Sequence, residues 1–375
     1  MKREENIVVQ LIKWGIGTER PTKKSVARLL EKQVNWDTVF ALCHRQNVTA
    51  ICCDGLNQVY ETFPGIVLPI DHPKREQALF ELFGKTMSGE LHYDHQRKAI
   101  ARLAAFYAQH GIGMMVLKGY GLSLHYPTPE HRPTGDIDIF LFHLDEDSTA
   151  ELPAWKKADD AMRRELAIPI RNDSEHHTKF LFQGISVENH YDFINTKLHR
   201  SSKRLERIFK TLSQEERTPC RIEEQDIYLP GTRLNELFLL RHSSSHFAAE
   251  GITMRTVLDW ALFVQHHTVD WCWLGAEAKR FNMHLFLAAL NRICVEDLGF
   301  QKDQFPYTDA TSTFKERILQ DIMSAADAVH HASSSSRLMR WWRNRWKHRI
   351  CYSDSLLSTF LTSTFTNLFS KASAE

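Results

Sequence analysis

The chain has 375 residues, 43% of them hydrophobic and 25% charged, enough for two or three domains with sizeable cores. Its 47 Lys and Arg against 46 Asp and Glu leave a formal charge of +1, so no global field marks a nucleic-acid binder. The seven cysteines form no CxxC pair, and the opening MKREENIVVQLIKW carries acids and no long apolar run. Reduced thiols and a cytoplasmic address are expected, with neither a secretory signal nor a membrane span at the start.

Residues 1 to about 110 read as helices, with Val26, Leu29, Leu30 and Val34 and then Phe40, Leu42 and Cys43 at helical spacing. His72-Pro73 opens a long run with an apolar stripe of Leu79, Phe80, Leu82 and Phe83. It reaches Gln109, and His110-Gly111 stops it. No chemistry is evident here, and the region is expected to brace the α/β segment beyond it. From Gly113 the period changes. Met114 to Leu117 reads as a buried strand, Tyr120 to Tyr126 as a short helix ended by Pro127, and Asp136 to Phe142 as a second strand.

In Gly135-Asp136-Ile137-Asp138-Ile139-Phe140 polar and apolar residues alternate. Side chains two apart leave a strand on one face, so Asp136 and Asp138 project together while Ile137 and Ile139 turn inward. Adjacent carboxylates repel each other, and a divalent cation relieves that repulsion. Mg²⁺ takes a few carboxylates together with substrate phosphates. The bland alternative is a strand whose acidic face meets solvent. Lys118-Gly119, after the preceding strand, offers a point charge and a backbone able to approach a phosphate. Arg132 lies four residues before Asp136, in a loop punctuated by Pro127, Pro129 and Pro133.

Asp145 to Leu166 runs from acidic to basic, an order that suits a helix dipole. Thr178 to Phe182 and Ile185 to Phe193 read as a hairpin joined at Gln183-Gly184. The second strand puts Ser186, Glu188, His190 and Asp192 on one face, and Ile185, Val187 and Tyr191 on the other, interrupted by Asn189. A position beside the Asp136–Asp138 strand would make Glu188 the third carboxylate that two-metal phosphoryl chemistry needs; the bland alternative is a solvated acidic strand face. His190 is either a phosphate or substrate contact or a structural histidine; His176 and His177 lean to the structural reading. Lys203 to Leu212 is a basic helix, a short strand spans Asp226 to Pro230, and the chain is helical from Thr232.

Leu234 to Ala249 places His242, His246 and Glu250 on one helical face. HxxxH is a two-histidine metal spacing, but it lacks the glutamate of HExxH. Farther on, Arg255 and Asp259 read as a surface salt bridge. After a polar linker at Ser333 to Ser336, residues 337–349 interleave six basic residues with three tryptophans. Leu356, Leu357, Phe360, Leu361, Phe365, Leu368 and Phe369 then share a helical face. Packing on the protein is preferred for 337–369, ahead of an anionic membrane surface or a partner groove, with single-stranded nucleic acid third. Removing 333–375 is expected to leave the core intact.

The wording LKGYGLSLHYP…RPTGDIDIFL, then ISVENHYDF, then LRHSSSHFAAEGITMRTVLDWALF, resembles a bacterial family of uncharacterised nucleotidyltransferases over residues 40 to 300. Gly119 followed by Asp136-Ile-Asp138 resembles the signature of the DNA polymerase beta-like nucleotidyltransferase superfamily. Pattern and resemblance together give an α+β fold, a small mixed β-sheet nucleotidyltransferase core flanked by helical regions. The expected divisions are 1–110 helical, 111–231 α/β core, 232–332 helical, and 333–375 a basic-aromatic linker with an amphipathic tail helix.

The resemblance implies metal-dependent transfer of an NMP group from an NTP, ATP first among them, to a hydroxyl acceptor with release of pyrophosphate. The acceptor is left open among small molecules, a glycan intermediate, RNA ends and protein side chains. Asp136, Asp138 and Glu188 would hold Mg²⁺ or Mn²⁺. Lys118, Gly119 and Arg132 would meet the phosphates, and His190, His242 and His246 the nucleotide or acceptor. The superfamily has Gly-Ser at the turn where this chain has Lys118-Gly119-Tyr120. The alternative is a catalytically degraded nucleotide-binding member, or an assembly module associated with a complex or a membrane.

Overall fold

The computed structural model describes residues 1–31, 33–70, 72–145, 152–172, 174–197, 199–324 and 344–354. The linker at 333–336, the first part of the basic-aromatic run at 337–343 and the tail at 355–375 lie outside the described residues. Four helices open the chain: α1 (Arg3–Gly15), α2 (Lys23–Ala27), α3 (Trp36–Arg45) and α4 (Thr49–Thr62). Thr22 and Asn35 cap α2 and α3 by accepting backbone N–H groups. The long α5 (His72–Gln109) comes next and stops where the sequence places Gly111, at φ +68.

The α/β core contains β1 (Ile112–Val116), the single-turn α6 (Tyr120–Ser123), β2 (Ile137–His143), α7 (Ala154–Leu166), β3 (His177–Phe182), β4 (Ile185–His190), α8 (Arg200–Glu215), β5 (Arg217–Ile222) and β6 (Gln225–Pro230). The mixed sheet has the order β3-β4-β2-β1-β6-β5. Three differences from the sequence reading have local causes. α7 begins at Ala154 because Pro153, with its fixed φ, stands at the entrance. β4 ends at His190 because the N–H groups of Tyr191 and Asp192 turn to the His176 carbonyl. β5 is a strand without a sequence signal; its burial pattern does not alternate in the usual way.

Helices resume with α9 (Thr232–Ala249), α10 (Met254–His266), α11 (Trp271–Arg280), α12 (His284–Glu296), α13 (Ser312–Ser324) and a last helix at 344–351. One apolar core lies between the sheet and α5 with α7, built on Ile137, Ile139, Val187 and Ala158. A larger one joins the N-terminal helices to α8–α13 and reaches the other sheet face at Met115 and Phe142.

Residues 344–354 belong to this larger core. Ile350 and Cys351 are buried, Arg241 donates to the Cys351 carbonyl at 3.1 Å, and Asn282 donates to the carbonyls of Arg349 and Tyr352 at 2.7 and 2.9 Å. The expectation that the core is indifferent to loss of 333–375 is therefore corrected, because that deletion removes packed residues. Among the described residues no helix is long and apolar enough to cross a membrane, and all seven cysteines are free thiols.

Candidate functional site

Strand register builds the site. β2 and β4 run parallel with Asp138 opposite Glu188 and Phe140 opposite His190. β3 runs antiparallel to β4, with His177 opposite His190 and Lys179 opposite Glu188. Paired positions share a sheet face, so Asp138, Glu188, His190, His177 and Lys179 emerge together. On the other face Asn189, the polar residue among apolar ones, is buried and donates to Asp159 of α7 at 2.9 Å.

The exit of β1 completes the arrangement. The N–H of Leu117 donates to the Asp138 carbonyl at 3.0 Å, which carries the next residue, Lys118, across β2. Gly119 comes after it at φ +59 and ψ −108, a conformation that residues with a side chain rarely adopt. Lys118 Nζ and His190 Nε2 lie 3.0 and 3.1 Å from Oδ1 of Asp138. Lys179 Nζ bridges Asp136 Oδ2 and Glu188 Oε1 at 3.1 Å each, so these carboxylates are no farther apart than two contacts end to end. Asp138, Glu188 and His190 each offer a donor atom within 4.8 Å of the other two.

The charge state is set by this geometry. Burial opposes ionisation of Asp138, but the Lys118 ammonium and the His190 ring outweigh it and hold its carboxyl well below the usual carboxylate range. The hydrogen bond from His190 lowers Glu188 to about 2, against burial and the Asp138 charge and with help from Lys179. Burial favours neutral His190, yet its contacts with Asp138 and Glu188 outweigh that and raise it. Both carboxylates are thus ionised at neutral pH, the state a metal ligand requires.

The group faces a cavity of about 640 Å³ whose other walls come from α9, α10 and Tyr352. Each residue singled out in the sequence, Lys118, Gly119, Arg132, Asp136, Asp138, Glu188, His190, His242 and His246, lines it. The rings of His242 and His246 are 4.3 Å apart, and His246 Nδ1 is 2.6 Å from Glu250. Burial, reinforced by Lys118 and His246, keeps His242 neutral far below its ordinary range.

Two expectations change. Arg132 is 3% exposed and donates from Nε and Nη2 to Asp259 at 2.7 and 2.9 Å, with Tyr126 donating to the same carboxylate at 2.7 Å. Its guanidinium is engaged as part of the cavity wall. The surface pair of Arg255 and Asp259 is likewise replaced, since Asp259 is buried against Arg132. Arg255 donates to the Pro133 carbonyl at 3.4 Å, and its buried Nε has no hydrogen-bond partner.

Lys179 escaped the sequence reading although a signal for it was present. Counting outward from the Gln183-Gly184 turn pairs Phe182 with Ile185 and therefore Lys179 with Glu188. Arg241, His199 and Tyr352 also line the cavity, with Tyr352 stacked on His199 at 3.9 Å and Arg241 over the Tyr352 ring at 4.3 Å. Tyr352 lies more than 100 residues along the chain from both His199 and Arg241, and local pattern gives no signal for that.

Among solved structures, the chain is similar to an antigenic nucleotidyltransferase-like protein from Paracoccidioides brasiliensis, at 16% identity and a TM-score of 0.32. That similarity covers 46% of this chain and 76% of the other. No curated protein matches. Residues 32–299, which contain the site from Lys118 through Arg255, match the family described as uncharacterised nucleotidyltransferase, and the chain belongs to that family.

Proposed function

We propose that the chain transfers an NMP group from an NTP, ATP foremost, to a hydroxyl acceptor and releases pyrophosphate, in the manner of the polymerase beta-like superfamily. The observation that carries this reading is the registered pair of ionised carboxylates, Asp138 and Glu188, with Asp136 tied to Glu188 through Lys179. The adjoining cavity is of a size that takes a nucleotide. The donors suit a divalent ion, being charged oxygens grouped within 4.8 Å with His190. Asp136, Asp138 and Glu188 would hold Mg²⁺ or Mn²⁺, which when bound neutralises phosphate charge and lowers the pKa of the acceptor hydroxyl.

The remaining roles belong to the chain itself. Lys118 and Arg255 present positive charge to the phosphates, and Gly119 lets the backbone come close. Arg132 stiffens the wall through Asp259. His190 fixes the orientation of both carboxylates, while His242, held neutral by burial, and His246 line the α9 wall beside a base or an acceptor. The acceptor class is a small hydroxylated molecule, a glycan intermediate or a protein, in the cytoplasm.

The test is thermal stabilisation by Mg²⁺ or Mn²⁺ with ATP. Wild type should gain several degrees and the Asp136→Asn/Asp138→Asn variant, still folded, almost none. Equal gains in both proteins would sink the assignment. A second reading has its own observation: each carboxylate of the trio already has a lysine partner. In that case the protein binds nucleotide without transferring it, and ATP alone stabilises it as well as ATP with metal.

A further inference from the structure

Three imidazoles meet beside the carboxylates. His176, His177 and His190 each offer a ring nitrogen within 4.8 Å of the other two. Their ring centroids are 4.5 Å (His176 to His177), 5.0 Å (His177 to His190) and 5.4 Å (His176 to His190) apart. The backbone holds them there. His177 is the cross-strand partner of His190, and the His176 carbonyl accepts the N–H groups of Tyr191 and Asp192 at 3.1 Å each.

The second nitrogen of every ring is tied to an oxygen. Ser174 Oγ lies 3.4 Å from Nδ1 of His176 and 3.2 Å from Nδ1 of His177. His190 Nδ1 lies 3.3 Å from the Asp192 carbonyl, which can only accept. A neutral imidazole that gives one nitrogen to a metal carries its proton on the other and donates it to a carbonyl, carboxylate or hydroxyl oxygen. One serine oxygen, with two lone pairs, accepts from both His176 and His177. His176 and His177 are thereby left with Nε2 as a free lone pair, whereas His190 Nε2 donates to Asp138 at 3.1 Å and a bound ion would take the place of that proton, released to water.

We propose that His176, His177 and His190 form a nitrogen-rich site for a borderline divalent transition ion, Zn²⁺ in particular, next to the oxygen-rich position at Asp138 and Glu188. Three imidazoles favour Zn²⁺ or Co²⁺, whereas Mg²⁺ prefers oxygen donors. Glu188 Oε1 stands 3.6 Å from His177 Nε2, at the edge of the group, and His176 opens the site to the cavity. Bonds of about 2.0–2.1 Å keep the donors of a tetrahedral ion roughly 3.4 Å apart, so the rings must close in on the ion when it binds. Binding of this ion needs neither nucleotide nor acceptor.

The experiment uses the full chain, free of any affinity tag and stripped with a chelator, titrated with Co²⁺ alone and followed by visible absorption, then with Zn²⁺ in competition. Wild type should take up one Co²⁺ with the intense d–d bands of a four- or five-coordinate ion, and Zn²⁺ should displace it. Losing an outer partner commonly costs about 10–100-fold in metal affinity, so Ser174→Ala should weaken binding by about tenfold with the bands retained. His176→Gln/His177→Gln should lose about 100-fold or more, while its melting curve and its response to Mg²⁺ with ATP persist. Equal Co²⁺ affinity in wild type and the double variant would overturn the proposal. So would pale six-coordinate bands, or near-ultraviolet thiolate charge transfer from cysteine. Failure of the Mg²⁺–ATP response with the Co²⁺ site intact refutes the nucleotidyltransferase reading alone.

Discussion

Breaking the Arg132–Asp259 pair tests what the cavity wall does. Arg132 is 3% and Asp259 8% exposed, and two N–H···O contacts of 2.7 and 2.9 Å join them. Burial would favour the uncharged acid, but the guanidinium outweighs it and holds Asp259 below the usual carboxylate range. Asp259→Ala strands a buried guanidinium, at a cost of about 3–5 kcal/mol. It also removes the acceptor of the Tyr126 hydroxyl, at about 1 kcal/mol more. Against a total stability of about 5–15 kcal/mol this is severe.

The companion variant Arg132→Met/Asp259→Leu leaves no buried charge behind and should recover most of the loss, because apolar replacement of a buried pair is often near neutral. Urea denaturation of the wild type, Arg132→Met, Asp259→Leu and the double closes the cycle, with an expected coupling of about 3 kcal/mol. ATP binding by the double variant should stay within a few-fold of wild type. Two results would refute the reasoning: an Asp259→Ala loss below about 1 kcal/mol, or a double variant that stays folded yet no longer binds the triphosphate. The second would return Arg132 to the phosphates.

His131, 2.7 Å from Asp54 of α4 and 2.9 Å from Glu90 of α5, is raised to about 9, mainly by the Asp54 hydrogen bond against burial. A raised folded-state value stabilises fully below the unfolded value near 6.5 and is lost as pH rises through about 9. Wild type should therefore lose roughly 2–3 kcal/mol between pH 6 and pH 10 by urea denaturation, and His131→Gln should lose far less. Truncation after residue 343 should lower the melting temperature by several degrees, since it removes the buried Ile350 and Cys351. Arg255→Met and Lys118→Met should each weaken ATP by about tenfold while leaving adenosine binding within twofold in calorimetry; equal losses for both ligands would place these residues in the fold.

Period and punctuation made the core legible. Alternation at Asp136–Phe140 and Ile185–His190, with a glycine turn between β3 and β4, specified which side chains share a face, because strand side chains alternate strictly. The pairing of β2 with β4 was open to inference, and with it the Asp138–Glu188 neighbourhood. What the sequence leaves silent is the partner of a charge. Arg255 and Asp259 are four apart on α10, the spacing of a surface pair, yet the fold buries Asp259 and delivers Arg132 to it from a loop 127 residues away. Helical spacing says which residues share a face of their own helix. It cannot say what packs against that face.

Charge balance gives the lysines more weight in the site than their ordinary appearance in the sequence suggests. Three carboxylates on one sheet face persist only if positive charge is supplied, and Lys118, Lys179 and His190 supply it from three different elements. The two ammonium groups differ in how firmly they are held. Lys179 is 41% exposed and bridges the two outer carboxylates, so moving it aside costs little. Lys118 is 19% exposed and sits against a nearly buried Asp138, so a cation arriving there must displace it toward the cavity, where a polyanionic phosphate chain offers a replacement partner. Under the proposed function, metal and triphosphate binding would be coupled through Lys118, which a cation at Asp138 would release to the phosphates.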